Sequence, residues 1–202
     1  MEALPVVFSC SPRAGGNSDA AAACIMEELA ALGRTARLVR LRDTPLRPCQ
    51  GCYGCRKDAA GRCVQPDSER AGLVYKYLLT APQFFFTAPI YFYHLPGLLK
   101  DFIDRSQPYY LRREAGEPDM VGLPARTACS VLVAGRPKGE KLFDGAVLTM
   151  KFFLHTFNIT LAESLNLRGI DLPGDLEADA VARPAIREMV GRAVGGTVFL
   201  AR

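Results

Sequence analysis

The chain alternates between two hydrophobic periods, and that alternation limits its fold more than any other feature. Leu4–Ser9 (LPVVFS) is a short apolar run with the character of a buried strand. Asn17 and Ser18 then offer caps for a helix whose apolar residues recur at Ala22, Ile25, Met26, Leu29 and Leu32, and Gly33 ends it. Arg37–Leu41 reads as a weaker strand, Ser68–Leu79 as a helix, Gln83–Ala88 (QFFFTA) as a strand and Leu98–Arg105 as a helix. Thr127–Ala134 is a fourth strand and Leu161–Leu167 a fifth. Between them Lys141–Phe157 is strongly helical, with Phe143, Val147, Met150, Leu154 and Phe157 on one face, and Ile186–Val194 is a last helix. Strands separated by helices of this length predict an α/β fold, a parallel sheet with helices on both faces. Five strands with short loops fit a doubly wound sheet of order 2-1-3-4-5.

A chain of 202 residues is most simply one domain, here 1–202, large enough to bury a core without staples. Charged residues make up 23%, which argues against disorder. No apolar run approaches the roughly 18–20 residues that span a bilayer, so no membrane partner is expected. The start, MEALPVVFSCSPR, lacks a basic leader and cleavage site, and the expected location is cytoplasmic. Thiols there stay reduced, so seven cysteines need an explanation other than disulfides. The net charge of +4 is mild and scattered, whereas a nucleic-acid face needs a concentrated patch. Ser106–Pro124 (SQPYYLRREAGEPDMVGLP) is long and polar for a connection, and reads as an insertion at about 106–124 forming a lid or contact surface.

After the first strand comes Ser9–Ser18, SCSPRAGGNS. Small residues let the backbone approach an anion, and the amides of the following helix point outward. The hydroxyls of Ser11 and Ser18, the amide of Asn17, the guanidinium of Arg13 and the backbone at Gly16 suit a phosphate cradle. Neither G-x-G-x-x-G nor G-x-x-x-x-G-K-[ST] is present, so no dinucleotide fingerprint or Walker loop is supported. A capped helix start beside an incidental arginine is the plainer alternative.

Ser11-Pro12-Arg13 followed by Gly16-Asn17-Ser18 resembles the S-P-R-x-x-G-N-S/T loop of the NADPH-dependent FMN reductase family, which binds the phosphate of FMN. Ala88–Arg105, APIYFYHLPGLLKDFIDR, resembles that family's P-x-Y-x-x-x-x-P-G-x-L-K-x-x-I-D-R segment. Gly139–Lys151 (GEKLFDGAVLTMK) and Arg168–Asp175 (RGIDLPGD) extend the resemblance over essentially the whole chain. It implies a flavodoxin-like fold with FMN at the sheet's switch point, where Pro89, Ile90, Tyr91 and Phe92 lie against the flavin ring. Gly135–Lys138 (GRPK) is a candidate third loop closing over the flavin. His94 stands near the expected flavin edge, where proton delivery is conceivable, and His155 reads as structural. Asp104-Arg105 and Lys100 read as ion-pairing anchors of their helix, and Phe84–Phe86 as core. Two departures stand out: Cys10 replaces a usual glycine and is expected to crowd the phosphate loop, and Asp67-Ser68 replaces a paired acidic dipeptide.

Cys49–Cys63, CQGCYGCRKDAAGRC, holds four cysteines spaced C-x2-C-x2-C-x7-C in a loop at about 48–66. Soft thiolates suit iron–sulfur clusters and zinc alike. Structural zinc sites usually pair two separated C-x-x-C knuckles, whereas this compact triple with one outlier is closer to ferredoxin loops. Cys49, Cys52, Cys55 and Cys63 match the iron–sulfur flavoprotein branch of the family one for one, which implies a [4Fe–4S] cluster. Zinc and unligated redox-active thiols remain alternatives, while Cys24 and Cys129 read as buried hydrophobes.

The expected function is that of a redox flavoprotein passing electrons from NAD(P)H or a reduced carrier protein to a small-molecule or protein acceptor, with no catalytic side chain. A cluster-free NAD(P)H-dependent FMN or quinone reductase and a flavodoxin-like carrier are the alternatives. Because the cysteine loop follows an edge strand, the cluster of one chain is expected to face the FMN of another in a homo-oligomer, a dimer or tetramer.

Overall fold

Alternation within QFFFTAP sorts the core. Phe84 and Phe86 pack on one side of the sheet and Phe85 on the other, and all three are fully buried. Val6 and Phe8 against Val7, and Leu132 against Val131 and Val133, divide in the same way. Burying each large apolar side chain is worth about 1.5–3 kcal/mol, and a sheet apolar on both faces requires cover on both.

In a computed structural model, which describes residues 4–58 and 60–196, that cover comes from the helices between strands. The chain runs β1 (Val6–Ser9), α1 (Asn17–Ala31), β2 (Arg37–Arg40), α2 (Gly54–Lys57), α3 (Ser68–Thr80), β3 (Gln83–Pro89) and α4 (Gly97–Asp104). It continues through α5 (Gln107–Glu114), α6 (Pro118–Val121), β4 (Arg126–Ala134), α7 (Asp144–His155), β5 (Ile159–Arg168), α8 (Asp175–Ala178) and α9 (Ala182–Val194). All strands are parallel, in the order β2-β1-β3-β4-β5. The fold is therefore the flavodoxin-like doubly wound sheet that the alternation predicts. Helices α1 and α9 cover one face, and α3, α4 and α7 the other. No helix among the described residues is long and apolar enough to cross a membrane. Met1–Ala3, Ala59 and residues 197–202 of the expected 1–202 domain lie outside the described residues.

Boundaries differ where the backbone turns left-handed. The helix expected from Lys141 begins at Asp144, because Lys141 takes a φ of 54°. It ends at His155, three residues before Asn158 at φ 55°, although Phe157 stays in the core. The 106–124 segment is not merely a lid. It folds into α5 and α6, buries Pro108 and Met120, and packs Tyr109 against Tyr75 and Phe157 at ring distances of 5.0 and 5.4 Å. Its polar residues hid an apolar side that only the core partners reveal.

Candidate functional site

The parallel register sends the loops after β1, β2 and β3 out of the same edge of the sheet, and a crevice opens where strand order reverses between β1 and β3. There one cavity of about 810 Å³ is lined by Ser11, Arg13, Gly16, Asn17, Ser18, Pro89, Ile90, Tyr91, Phe92 and Gly135. These are all the residues nominated from the sequence for FMN. Tyr93, Val133, Ala134, Arg136, Pro137, Leu142, Ile170 and Asp171 complete the wall. Of these, Ile170 and Asp171 lie in the RGIDLPGD segment, the one sequence signal that pointed toward them.

The loop after β1 is built to present donors. No side chain caps α1, and the backbone N–H groups of Gly16, Asn17 and Ser18 meet no acceptor among the described residues. The Arg13 side chain folds over Gly16, where a Cβ would lie 3.1 Å from its Nε. The Ser11 hydroxyl closes the turn, accepting from the Arg13 N–H at 3.1 Å and donating to the Arg13 carbonyl at 3.0 Å. Asn17 plays a different part from the one its amide suggested. Its Nδ2 donates to the Leu172 carbonyl at 2.9 Å and its Oδ1 accepts from the Leu176 N–H at 3.2 Å, so the side chain ties α1 to the loop after β5. Below the loop, Asp19 accepts from Gly15 N–H at 2.9 Å, from Arg42 at 2.9 Å and from the Ser9 hydroxyl. Burial pulls the Asp19 carboxyl upward, but these hydrogen bonds outweigh it and hold the group below its ordinary range. Cys10 does not crowd the loop: its side chain is wholly buried in the core and its thiol donates to the Phe8 carbonyl at 3.6 Å.

The opposite wall is a tight turn. Tyr91 and His94 pair through backbone hydrogen bonds of 2.9 and 3.0 Å, and the two central residues, Phe92 and Tyr93, both have positive φ, 49° and 63°. Asparagine and glycine normally fill such a turn. Two aromatic residues there store strain, which persists only when the surroundings impose it. Arg136 lies 5.6 Å over the Tyr93 ring, while Phe92 is fully exposed. Beyond the turn, a Cβ on Gly135 would stand 2.5 Å from Asp171 Oδ1, so two loops meet over a missing side chain. Lys138 does not line the cavity, nor does His94, whose Nε2 meets the Thr149 hydroxyl at 3.2 Å on α7. The lining suits a ligand with an anionic end and a flat apolar end.

A second cavity, of about 380 Å³, is lined by Cys49, Cys52, Cys55 and Cys63 together with Gly51, Ile103, Arg105, Ser106 and Tyr110. All seven cysteines are free thiols. Burial, and then the neighbouring thiols of Cys63, Cys49 and Cys52, push the Cys55 thiol up. Gly54 leaves no room for a side chain, since a Cβ would meet Val64 at 2.5 Å. Among the described residues no three His, Cys, Asp or Glu side chains converge to hold a single metal ion, so the thiols border a space rather than a point. Both ends of the loop are clipped to α4. Asp67 accepts from the Arg47 N–H at 2.7 Å and from Arg105 at 2.7 Å, and Arg105 also reaches the Arg47 carbonyl at 2.9 Å. A single acidic residue thus performs the anchoring at Asp67-Ser68. Lys100 and Asp104 pair at 2.7 Å, as anchors of α4 should. The two cysteines read as buried hydrophobes are so, Cys24 and Cys129, and burial raises the Cys129 thiol to about 12.

The model of the NADPH-dependent FMN reductase family matches residues 5–145. An iron-sulfur flavoprotein of Archaeoglobus fulgidus is 35% identical over 86 residues, covering 41% of this chain and 39% of that protein. An iron-sulfur flavoprotein of Methanocaldococcus jannaschii is 30% identical over 119 residues, covering 57% of this chain and 60% of that protein. The chain thus spans less than two thirds of either relative. Among solved structures, an FMN-dependent NADH-azoreductase of Bacillus anthracis in complex with FMN superposes with a TM-score of 0.67 at 14% identity, covering 93% of this chain and 98% of that one. That likeness is one of fold.

Proposed function

On the premise that the chain belongs to the NADPH-dependent FMN reductase family and is an oxidoreductase, we propose that it holds FMN in the larger cavity and a [4Fe–4S] cluster in the cysteine cavity. Electrons pass from NAD(P)H or a reduced carrier protein to a small-molecule or protein acceptor. The observation that carries the reading is the sharing of one cavity by all four cysteines of the C-x2-C-x2-C-x7-C loop.

FMN supplies the interconversion of two-electron and one-electron chemistry, which the protein directs by binding, orientation and electrostatics. The amides of Gly16, Asn17 and Ser18 and the Arg13 guanidinium hold an anionic phosphate. Pro89, Ile90, Tyr91 and Phe92 border the ring, and Gly135 lets the third loop approach it. Cys49, Cys52, Cys55 and Cys63 supply the thiolates for the cluster, and no side chain acts as a nucleophile. β2, which leads into the cysteine loop, is an edge strand one position removed from the flavin crevice, and the loop's cavity is lined by Arg105 and Thr156 at the C-terminal ends of α4 and α7. That placement favours a homo-oligomer, a dimer or tetramer, in which the cluster of one chain serves the FMN of another. Sedimentation as a monomer with undiminished cluster reduction would remove that part of the reading.

An anaerobic absorption spectrum with iron, sulfide and FMN quantitation tests the assignment. The expected result is one FMN and one four-iron cluster per chain. Flavin alone after reconstitution would leave the second reading, a cluster-free NAD(P)H-dependent FMN or quinone reductase.

A further inference from the structure

Arg105 heads the fully buried large side chains of the protein, yet only one of its three nitrogens is satisfied. Nη1 donates to Asp67 and to the Arg47 carbonyl. Nε and Nη2 are shut away from water with no acceptor among the described residues. Leaving charged donors unpaired in the interior is costly, and native folds rarely do so without a reason. The same side chain lines the cavity that Cys49, Cys52, Cys55 and Cys63 share.

Arginine suits this position in a way lysine does not. Its rigid fork can grip Asp67 with one nitrogen while the others face elsewhere, and it stays charged when buried. We infer that Arg105 is a positioning residue for the sulfur centre of the cysteine cavity: its free N–H groups donate to the sulfurs and its fixed charge favours the reduced, more negative state. This rests on the reading of the four cysteines as cluster ligands. One-electron reduction adds one negative charge without making or breaking a bond. A cation within hydrogen-bond reach in a poorly solvated site therefore raises the reduction potential. Asp67 carries the opposing charge, so the pair sets the potential from two sides.

The test is anaerobic reconstitution with ferrous iron and sulfide of the wild type, R105K, R105Q and D67N, followed by redox titration of the cluster monitored by electron paramagnetic resonance. In R105Q the equilibrium constant for reduction should fall about tenfold, a shift of about 59 mV downward for one electron. D67N loses the negative charge and one of the two acceptor oxygens, and should shift the potential upward. R105K keeps the charge and should remain closer to wild type than R105Q. A merely structural role would lower cluster content and melting temperature in R105Q and D67N alike, leaving the potential of the surviving cluster unchanged, and would overturn the inference alone. Should R105Q fail to fold, the upward shift in D67N and the near-native value in R105K decide it. A wild type that takes up no iron and sulfide would overturn the cluster reading and this inference together.

Discussion

The Asp19 carboxylate and the Arg42 guanidinium meet at 2.9 Å beneath the loop that follows β1, and the same carboxylate accepts from the Gly15 N–H. Neither contact touches the cavity, but together they set the backbone that presents the amides of Gly16, Asn17 and Ser18. Removing the carboxylate in Asp19→Ala leaves Arg42 and Gly15 without their acceptor, at a cost of about 1–3 kcal/mol. Denaturant unfolding should show that loss, and FMN titration should show weaker binding. The pH dependence follows in sign. The folded carboxyl is held below its unfolded value of about 3.9, so its stabilisation is complete above that value and is lost as pH falls toward the folded one. Asp19→Asn should therefore unfold with a shallower acid dependence below about pH 4 than the wild type. Parallel curves would sink the assignment.

The turn at Phe92-Tyr93 makes a different prediction, because its strain serves position rather than stability. Residues forced into such regions cost about 1–3 kcal/mol each. Replacing the pair by Asn-Gly, which adopts the turn freely, should raise the melting temperature by about 2–4 °C per kcal/mol recovered in a domain of this size. The same change removes two aromatic groups from the cavity wall, so FMN should bind more weakly. A destabilised double variant would mean that aromatic contacts outweigh the strain.

The main elements and the strand order were legible because the central strands β1, β3 and β4 are apolar on both faces and the long helices α1, α3, α7 and α9 carry local periodic patterns. The cavity residues were legible for a related reason: SCSPRAGGNS and APIYFYHLPG are contiguous stretches whose residues act through the nearby backbone. Pairs remote in sequence were not. Asp67 and Arg105 are ordinary charges until α3 and α4 bring them together, and nothing local marks Arg105 as buried beside thiols. The tie made by the Asn17 side chain was hidden for the same reason, since its partners Leu172 and Leu176 lie in the last third of the chain. Helix ends slipped where Lys141 and Asn158 adopt positive φ, a conformation their side chains do not announce.

Gly135 and Asp171 give a cavity-specific test. A Cβ at position 135 would lie 2.5 Å from Asp171 Oδ1 and 2.7 Å from its Cγ, so the whole aspartate must move. The two residues sit on loops after β4 and β5 at the cavity wall. Gly135→Ala should leave unfolding nearly unchanged, because surface loops absorb such a shift, but should weaken FMN binding about tenfold, or about 1.4 kcal/mol. Fluorescence titration of the apoprotein measures it. Unchanged affinity would place the flavin away from this wall.

Phe102 links the core to the cysteine cavity. Its ring stacks on Tyr75 at 4.7 Å and contacts Phe8 and Phe153 at 6.0 and 5.6 Å, while the Tyr75 hydroxyl donates to its backbone carbonyl. It lies in α4, three residues before Arg105, so the aromatic stack fixes the end of the helix from which Arg105 lines the cysteine cavity. Phe102→Ala should destabilise the fold by about 3–5 kcal/mol. On the proposed cluster reading, the variant reconstituted with iron and sulfide should also lose iron faster to a chelator than the wild type below its unfolding transition, since the support of the cysteine loop is looser. Phe102→Leu, which keeps most of the volume, should lose less of both. Equal chelation rates in all three proteins would show that the loop holds its shape without the aromatic stack.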